Sequence, residues 1–258
     1  MTASANPSTS DQPLTAAVIL IGNEILSGRT HDVNLPAIAN ALSARGIAVA
    51  EARVIADIPE TIRNTINELR AAHNFVFTTG GIGPTHDDIT AENVAAAFSV
   101  PLITHPEAKK ILLEYFEGRG VEPNEARMRM ARVPQGATLV ENPVSVAPGF
   151  CMGNVYVMAG VPKIMNAMLE NILPTLPLAA MLVSRTVVCD LPEGALAAPL
   201  GTLQEKNPDV DLGSYPGKTG ESFRVSLVVR GRDEDRVTEV AAELRAMVSG
   251  LGGSELEE

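Results

Sequence analysis

The chain has 258 residues, 45% of them hydrophobic, and a formal net charge of -11 from 31 acidic and 20 basic side chains. That length fills one large core, or a medium domain and a small one, while the acidic balance excludes an electrostatic grip on duplex nucleic acid or an anionic membrane surface. An anionic ligand must be held locally, by backbone N–H groups, a few Arg or Lys side chains, or a bound cation.

Residues 1–14 are rich in Ser, Thr, Ala and Pro, carry no basic or apolar leader segment, and read as a disordered tail. No later stretch reaches the length of a membrane span, so the expected location is the cytoplasm, with no membrane partner. A first domain is expected over residues 15–176. Residues 17–21 form an apolar run ending at Gly22, and Leu35, Ile38, Ala39 and Leu42 follow at helical spacing, closed by Gly46. Residues 47–55 read as a second strand. Ile58, Ile62, Ile66 and Leu69 make one helix stripe, and residues 75–78 a third strand. Buried strands separated by amphipathic helices imply an α/β fold with a mostly parallel sheet and right-handed crossovers.

Helices are expected over residues 90–98, from Pro106 and near Arg127, then strands over 138–140 and 155–158 and a helix over 161–173. Pro174 and Pro177 mark a break. From there to residue 248 the pattern is strand (186–189), helix (196–204), two strands (210–214 and 223–230) and helix (237–248), a small βαββα α+β domain spanning residues 177–248. Residues 249–258, acidic and Gly-rich, read as a second disordered tail. Cys151 and Cys189 are far apart and lack metal-ligand spacing, which supports neither a disulfide framework nor a zinc site.

The chemistry concentrates in Thr78-Thr79-Gly80-Gly81-Ile82-Gly83-Pro84-Thr85-His86-Asp87-Asp88-Ile89-Thr90. It follows a buried strand and precedes a helix, the place where open α/β sheets bind ligands. Its glycines permit positive φ and close backbone approach, so that N–H groups can converge on phosphate oxygens. Thr90 is expected to cap the next helix, whose N-terminus adds positive potential. A tight turn with a capped helix explains the glycines alone. Asp87 and Asp88 do not fit that simpler reading, because carboxylates beside a phosphate call for a cation between them. A single loop histidine such as His86 is seldom a ligand.

Asp57-Ile58-Pro59-Glu60 fits a capping box with Asp57 as the cap, yet Asp57 also ends the second strand on the edge that carries the glycine loop. Glu24 holds the corresponding place after the first strand, and Asn34 is expected to cap the first helix while facing the same crevice. Two segments are set aside. Gly213-Ser214-Tyr215-Pro216-Gly217-Lys218-Thr219 imitates a P-loop, but its glycine spacing is short and Pro216 lacks an N–H, so a hairpin turn is expected. Met128 and Met130 are read as core filler.

Residues 79–90 resemble the T-G-G-x-G-x-x-x-x-D-x-T loop of the MoaB/Mog family of molybdopterin-binding domains. Ile21-Gly22-Asn23-Glu24-Ile25-Leu26-Ser27-Gly28, Asp32-Val33-Asn34, Gly80-Gly81-Ile82-Gly83-Pro84-Thr85-His86-Asp87-Asp88 and Ala147-Pro148-Gly149-Phe150 look like the N-terminal part of the CinA (competence/damage-inducible) proteins. The His-Asp-Asp loop also resembles the molybdopterin-binding-like domain of FAD synthase. The resemblance implies a three-layer, Rossmann-like domain followed by a KH-like one. It implies Asp57 and Asp88 as catalytic residues and Asp88, Asp87, Asp57 and Glu24 around a divalent metal (Mg, Mn or Co). Thr79, Gly80, Gly81, Gly83, Thr90, Asn34, Ser145, Gly160 and Pro162 would line the ligand pocket. Asn23 departs from the usual G-D-E motif, and Met158-Ala159-Gly160-Val161-Pro162 from L-P-G-x-P.

The leading expectation is an enzyme, a metal-dependent pyrophosphatase acting on a nucleotide diphosphate such as ADP-ribose or FAD. The alternatives are molybdopterin binding with adenylylation, and a non-catalytic pterin or nucleotide sensor. The amidohydrolase domain of full-length CinA has no counterpart in this sequence, so nicotinamide-mononucleotide deamidation is expected to be absent. The KH-like domain lacks a G-x-x-G clamp flanked by basic residues, because Gly217-Lys218-Thr219-Gly220 is followed by Glu221. No nucleic-acid partner is therefore expected, and this domain is assigned to homo-oligomer formation or cleft closure.

Overall fold

The computed structural model describes residues 14–217 and 224–256. Most of the tail expected at the N-terminus lies outside the described residues, as do Lys218 and Thr219 of the P-loop-like stretch. The chain divides into two compact units, one ending at Ala179 and one starting at Ala180.

In chain order the first unit contains β1 (Thr15–Ile21), α1 (Asn23–Leu26), α2 (Asn34–Ser43), β2 (Ala48–Ile55), α3 (Pro59–Ala72), β3 (Phe75–Thr79) and α4 (Thr90–Ala97). Next come β4 (Leu102–Thr104), α5 (Pro106–Glu117), α6 (Glu125–Met128), β5 (Arg132–Pro134), β6 (Thr138–Val140), β7 (Gly149–Met152), β8 (Val155–Met158) and α7 (Pro162–Ile172). Its six-stranded sheet has the order β2-β1-β3-β8-β7-β6. The first four strands are parallel, and β7 and β6 continue antiparallel.

The alternation of β1 explains the layers. Ala17, Ile19 and Ile21 pack with Ile62, Ile66 and Leu69 of α3 and Val94 of α4. Ala16, Val18 and Leu20 pack on the other face with Ile38 and Leu42 of α2 and Met165, Met168 and Leu169 of α7. A strand covered on both faces must be apolar along its buried length, as β1 is from Ala16 to Ile21. Pro59, Pro106 and Pro162 each open a helix, where the missing N–H costs nothing. The strand β7 has no period-two signature. It exists because Gly153, at φ 59°, turns the chain so that Phe150 pairs with Val157. At the far edge, β2 carries Arg53, paired with Glu51 and with Glu68 of α3, both at 2.6 Å.

The second unit contains β9 (Val183–Cys189), α8 (Glu193–Lys206), β10 (Asp211–Pro216), β11 (Val225–Gly231), α9 (Glu234–Gly250) and β12 (Glu255–Leu256). Its antiparallel sheet has the order β10-β11-β9-β12. Leu227 and Val229 of β11 share a core with Leu196 of α8 and Val240 and Leu244 of α9. Gly213 to Pro216 belong to β10, which pairs antiparallel with β11, so the expected hairpin is present but its connection falls after Pro216, where residues 218–223 lie outside the described residues.

The end of this unit corrects an expectation. Residues 251–256 do not trail away. Gly252, at φ 80°, turns the chain after α9. Gly253 passes Leu191 so closely that a Cβ would lie 2.5 Å from it. Glu255 and Leu256 then pair with Cys189 and Val188, and Glu255 meets Arg245 at 3.0 Å. Glycines that look like flexibility in the sequence are here the conditions of a turn and a close approach. Among the described residues, no helix is long and apolar enough to cross a membrane.

Candidate functional site

The C-terminal ends of β1, β2, β3 and β8 meet on one edge of the large sheet. The Gly22 amide donates to the Ile55 carbonyl at 3.1 Å, and the Asn23 amide to Asp57 Oδ2 at 2.9 Å. Asp57 is therefore not the helix cap that its sequence context suggests. Ile58 holds the cap position of α3, and the carboxylate is drawn across the sheet to an N–H at the head of α1. Burial, followed by the nearby charges of Glu24 and Asp87, pushes the Asp57 carboxyl above its usual range, against the lowering effect of the Asn23 amide.

The glycine loop has a structural half and an open half. The Gly80 amide continues the sheet by donating to Met158 O at 3.1 Å. At φ 101°, a Cβ on Gly80 would lie 2.1 Å from Ile21 O. Gly80 thus allows close passage and offers no amide to a ligand, contrary to its expected place in the phosphate cradle. Thr90 is corrected as well. Ile89 takes the cap position of α4, while the Thr90 hydroxyl donates to Gly80 O and its amide to Gly81 O, both at 3.0 Å. Satisfying the loop carbonyls outweighs the local capping preference. The amides of Gly81 and Gly83 have no protein acceptor among the described residues. Gly83 lies against Asp88, where a Cβ would be 2.6 Å from Oδ2.

Asp88 Oδ2 accepts from the Thr85 amide at 2.8 Å and lies 2.6 Å from the Thr85 hydroxyl. Asp87 Oδ1 stands 2.5 Å from the same hydroxyl. One hydrogen serves two carboxylates. That contact leads the effects holding the Asp87 carboxyl below its usual range. His86 is fully exposed, with a long 3.9 Å approach to Asp87.

A cavity of about 560 Å³ opens above the loop. Of the expected site residues, Glu24, Gly80, Gly81, Gly83, Asp88, Ser145, Gly160 and Pro162 stand in its walls, whereas Asp57 and Asp87 do not. Ser145 is held by Asn142, whose Nδ2 donates to Ser145 Oγ at 2.6 Å. Asn34 and Thr79 line a smaller chamber beside it. Asn34 does not cap α2. Val33 holds the cap position, and the Asp32 carboxylate just before it accepts from the Asn34 and Leu35 amides at 3.1 and 3.0 Å. Among the described residues, no group of three or more His, Cys, Asp or Glu side chains could hold a metal ion by itself.

Sequence reasoning missed Arg129 and Arg132. With Gly81, Gly83 and Asp88 they line a narrow slot of about 30 Å³ on the other side of the loop. Arg132 approaches Glu92 at 3.9 Å. Half-buried Arg129 has no acceptor among the described residues. The available signal was the pair of arginines flanking Met130, which walls both spaces and does more than fill the core.

The family model described as "Probable molybdopterin binding domain" matches residues 17–178, and "FAD synthase, middle domain" matches residues 181–251. A protein of Aeropyrum pernix is 33% identical over 94% of this chain and 97% of its own length. A CinA-like protein of Desulforapulum autotrophicum is 36% identical over 76% of this chain but 50% of its own length, so the chain spans about half of that relative. The crystal structure of CinA from Thermoplasma acidophilum, 32% identical, aligns with a TM-score of 0.58 over 62% of this chain and 96% of that one. On that match through the glycine loop, its flanking strands and Ser145, the chain belongs to the molybdopterin-binding domain family, among CinA-like relatives.

Proposed function

We propose that the protein hydrolyses a nucleotide diphosphate, of the kind represented by ADP-ribose or FAD, with a divalent ion (magnesium, manganese or cobalt) as cofactor. The observation that carries this reading is the 560 Å³ cavity in which Gly81 and Gly83, with unpartnered amides, share the walls with Asp88 and Glu24. The amides donate to phosphate oxygens, and Arg129 adds positive charge from behind the loop. Asp88 orients a water and takes its proton as the water oxygen bonds to phosphorus. The bond from that phosphorus to the bridging oxygen breaks, and two monophosphates leave.

Glu24 and Asp88 would hold the ion, which supplies neutralising charge on the diphosphate. Two carboxylates suffice when phosphate oxygens and water complete the shell, as is usual for magnesium. Asp57 is a positioning residue that acts through the Asn23 amide on the turn carrying Glu24. Similarity of residues 181–251 to the middle domain of FAD synthase supports a dinucleotide substrate. The description of the family model favours a second reading, with molybdopterin as ligand and adenylyl transfer to its phosphate.

The test is incubation of the chain with ADP-ribose and FAD, with each metal in turn, followed by chromatography. Monophosphates are expected, and Asp88→Asn should release them about a hundredfold more slowly. Uncleaved dinucleotides under every metal, or an Asp88→Asn variant as fast as wild type, would defeat the reading. Adenylylated pterin formed from molybdopterin and ATP would select the second.

A further inference from the structure

The chamber of about 50 Å³ beside the main cavity shares Glu24, Thr30, Gly160 and Pro162 with it. Asn34 stands in its wall, 4% exposed. Its Nδ2 donates to Gly160 O at 2.8 Å, which fixes the amide and turns Oδ1 the other way. That oxygen has no hydrogen-bond partner among the described residues. A buried carbonyl oxygen without a donor costs free energy until something supplies one. Asp32 is already committed to the two amides that begin α2. The Glu24 carboxylate folds back over Gly22, where a Cβ would lie 2.5 Å from Oε1. With Glu24 given to the ion in the reading above, the chamber keeps one buried acceptor that waits for a donor, Asn34 Oδ1.

We propose that this chamber receives a neutral hydrogen-bond-donor group of the bound nucleotide, a ribose hydroxyl pair or an exocyclic amino group, while the phosphates lie at Gly81 and Gly83. The inference rests on the diphosphate reading above. A space of this size admits hydroxyl or amino groups. The sugar or base stays in the larger cavity and only its donor edge enters. With Glu24 given to the ion, Asn34 Oδ1 is the acceptor left in this chamber, and an ionised phosphate oxygen, which carries no hydrogen, cannot serve it. The Arg129 side of the loop has the opposite character.

Titration calorimetry of the full chain with ADP, 2′,3′-dideoxy-ADP and inosine diphosphate, in magnesium buffer, tests this. ADP should bind about tenfold more tightly than one of the two analogues. Weakening with the dideoxy compound assigns the chamber to the ribose hydroxyls, and weakening with inosine diphosphate assigns it to the amino group. In Asn34→Leu the selectivity should collapse to within about twofold, whereas a purely structural role would weaken all three ligands together. If that variant does not fold, the wild-type series decides. Three ligands within about twofold of one another mean that water alone fills the chamber, which overturns the inference and leaves the diphosphate reading standing. No binding of any of the three overturns both.

Discussion

Gly80 and Ile21 meet backbone to backbone: a methyl group at position 80 would lie 2.1 Å from the Ile21 carbonyl oxygen. Neither partner can move without disturbing the sheet, since the Gly80 amide is bonded to Met158 and Ile21 pairs with Ile55. Gly80→Ala should lower stability by about 3 kcal/mol or more, read as a fall in the urea midpoint. Gly83→Ala should behave differently, because its new Cβ would push on the Asp88 carboxylate and not on backbone. That variant is expected to keep its midpoint and lose turnover. Equal midpoints for the two variants would contradict this division of the loop.

Asp57 makes a prediction in pH. Burial raises its carboxyl above the ordinary 3.8, so the folded chain binds this proton more tightly than the unfolded one. The contribution is most favourable below the unfolded value and is lost as pH rises through the raised folded value. Asp57→Asn keeps an oxygen for the Asn23 amide and removes the ionisation. Urea unfolding from about pH 3 to about pH 7 should show the variant gaining on wild type as pH rises. A gap that moves the other way would show that the Asn23 hydrogen bond outweighs burial.

Arg129 tests the slot behind the loop. A half-buried guanidinium with no protein acceptor gains most from an anionic ligand. Arg129→Gln should weaken ADP-ribose binding by about tenfold to a hundredfold and flatten its salt dependence, with the thermal midpoint unchanged. Arg132→Gln should do less, because Glu92 already approaches that side chain. The ordering of the two variants is the measurement that matters.

A chain ending at Gly250 would lose β12. The backbone of Val188 and Cys189 would then become a free strand edge, and Arg245 would lose Glu255. The expected cost is about 1 to 3 kcal/mol, felt in the second unit. Cys189, fully buried, should become reactive to a thiol reagent, while half-buried Cys151 serves as the internal reference. An unreactive Cys189 in the shortened chain would show that β12 contributes no protection.

The parallel core was legible because β1 and β3 are apolar runs and α3 has a clear stripe, both consequences of two-sided burial. The glycine loop was legible for the same local reason: positive φ and close approach select glycine. What the sequence hid was every long-range hydrogen bond at the site. Asp57 and Thr90 carry strong local capping signals, and both were overruled by partners 34 and 10 residues away. Arg129 was invisible because its significance lies in the acceptor it lacks. The last residues were misread because Gly252 and Gly253 look alike whether they loosen a chain or let it turn.

The charged strand β2 constrains assembly. Arg53 is clamped by Glu51 and Glu68 along the outermost strand of the large sheet. A second copy annealing there would have to lay its own strand beside a row of fixed ions, a well-known deterrent to runaway stacking of sheets. Edge-to-edge pairing of copies through this flank is disfavoured accordingly.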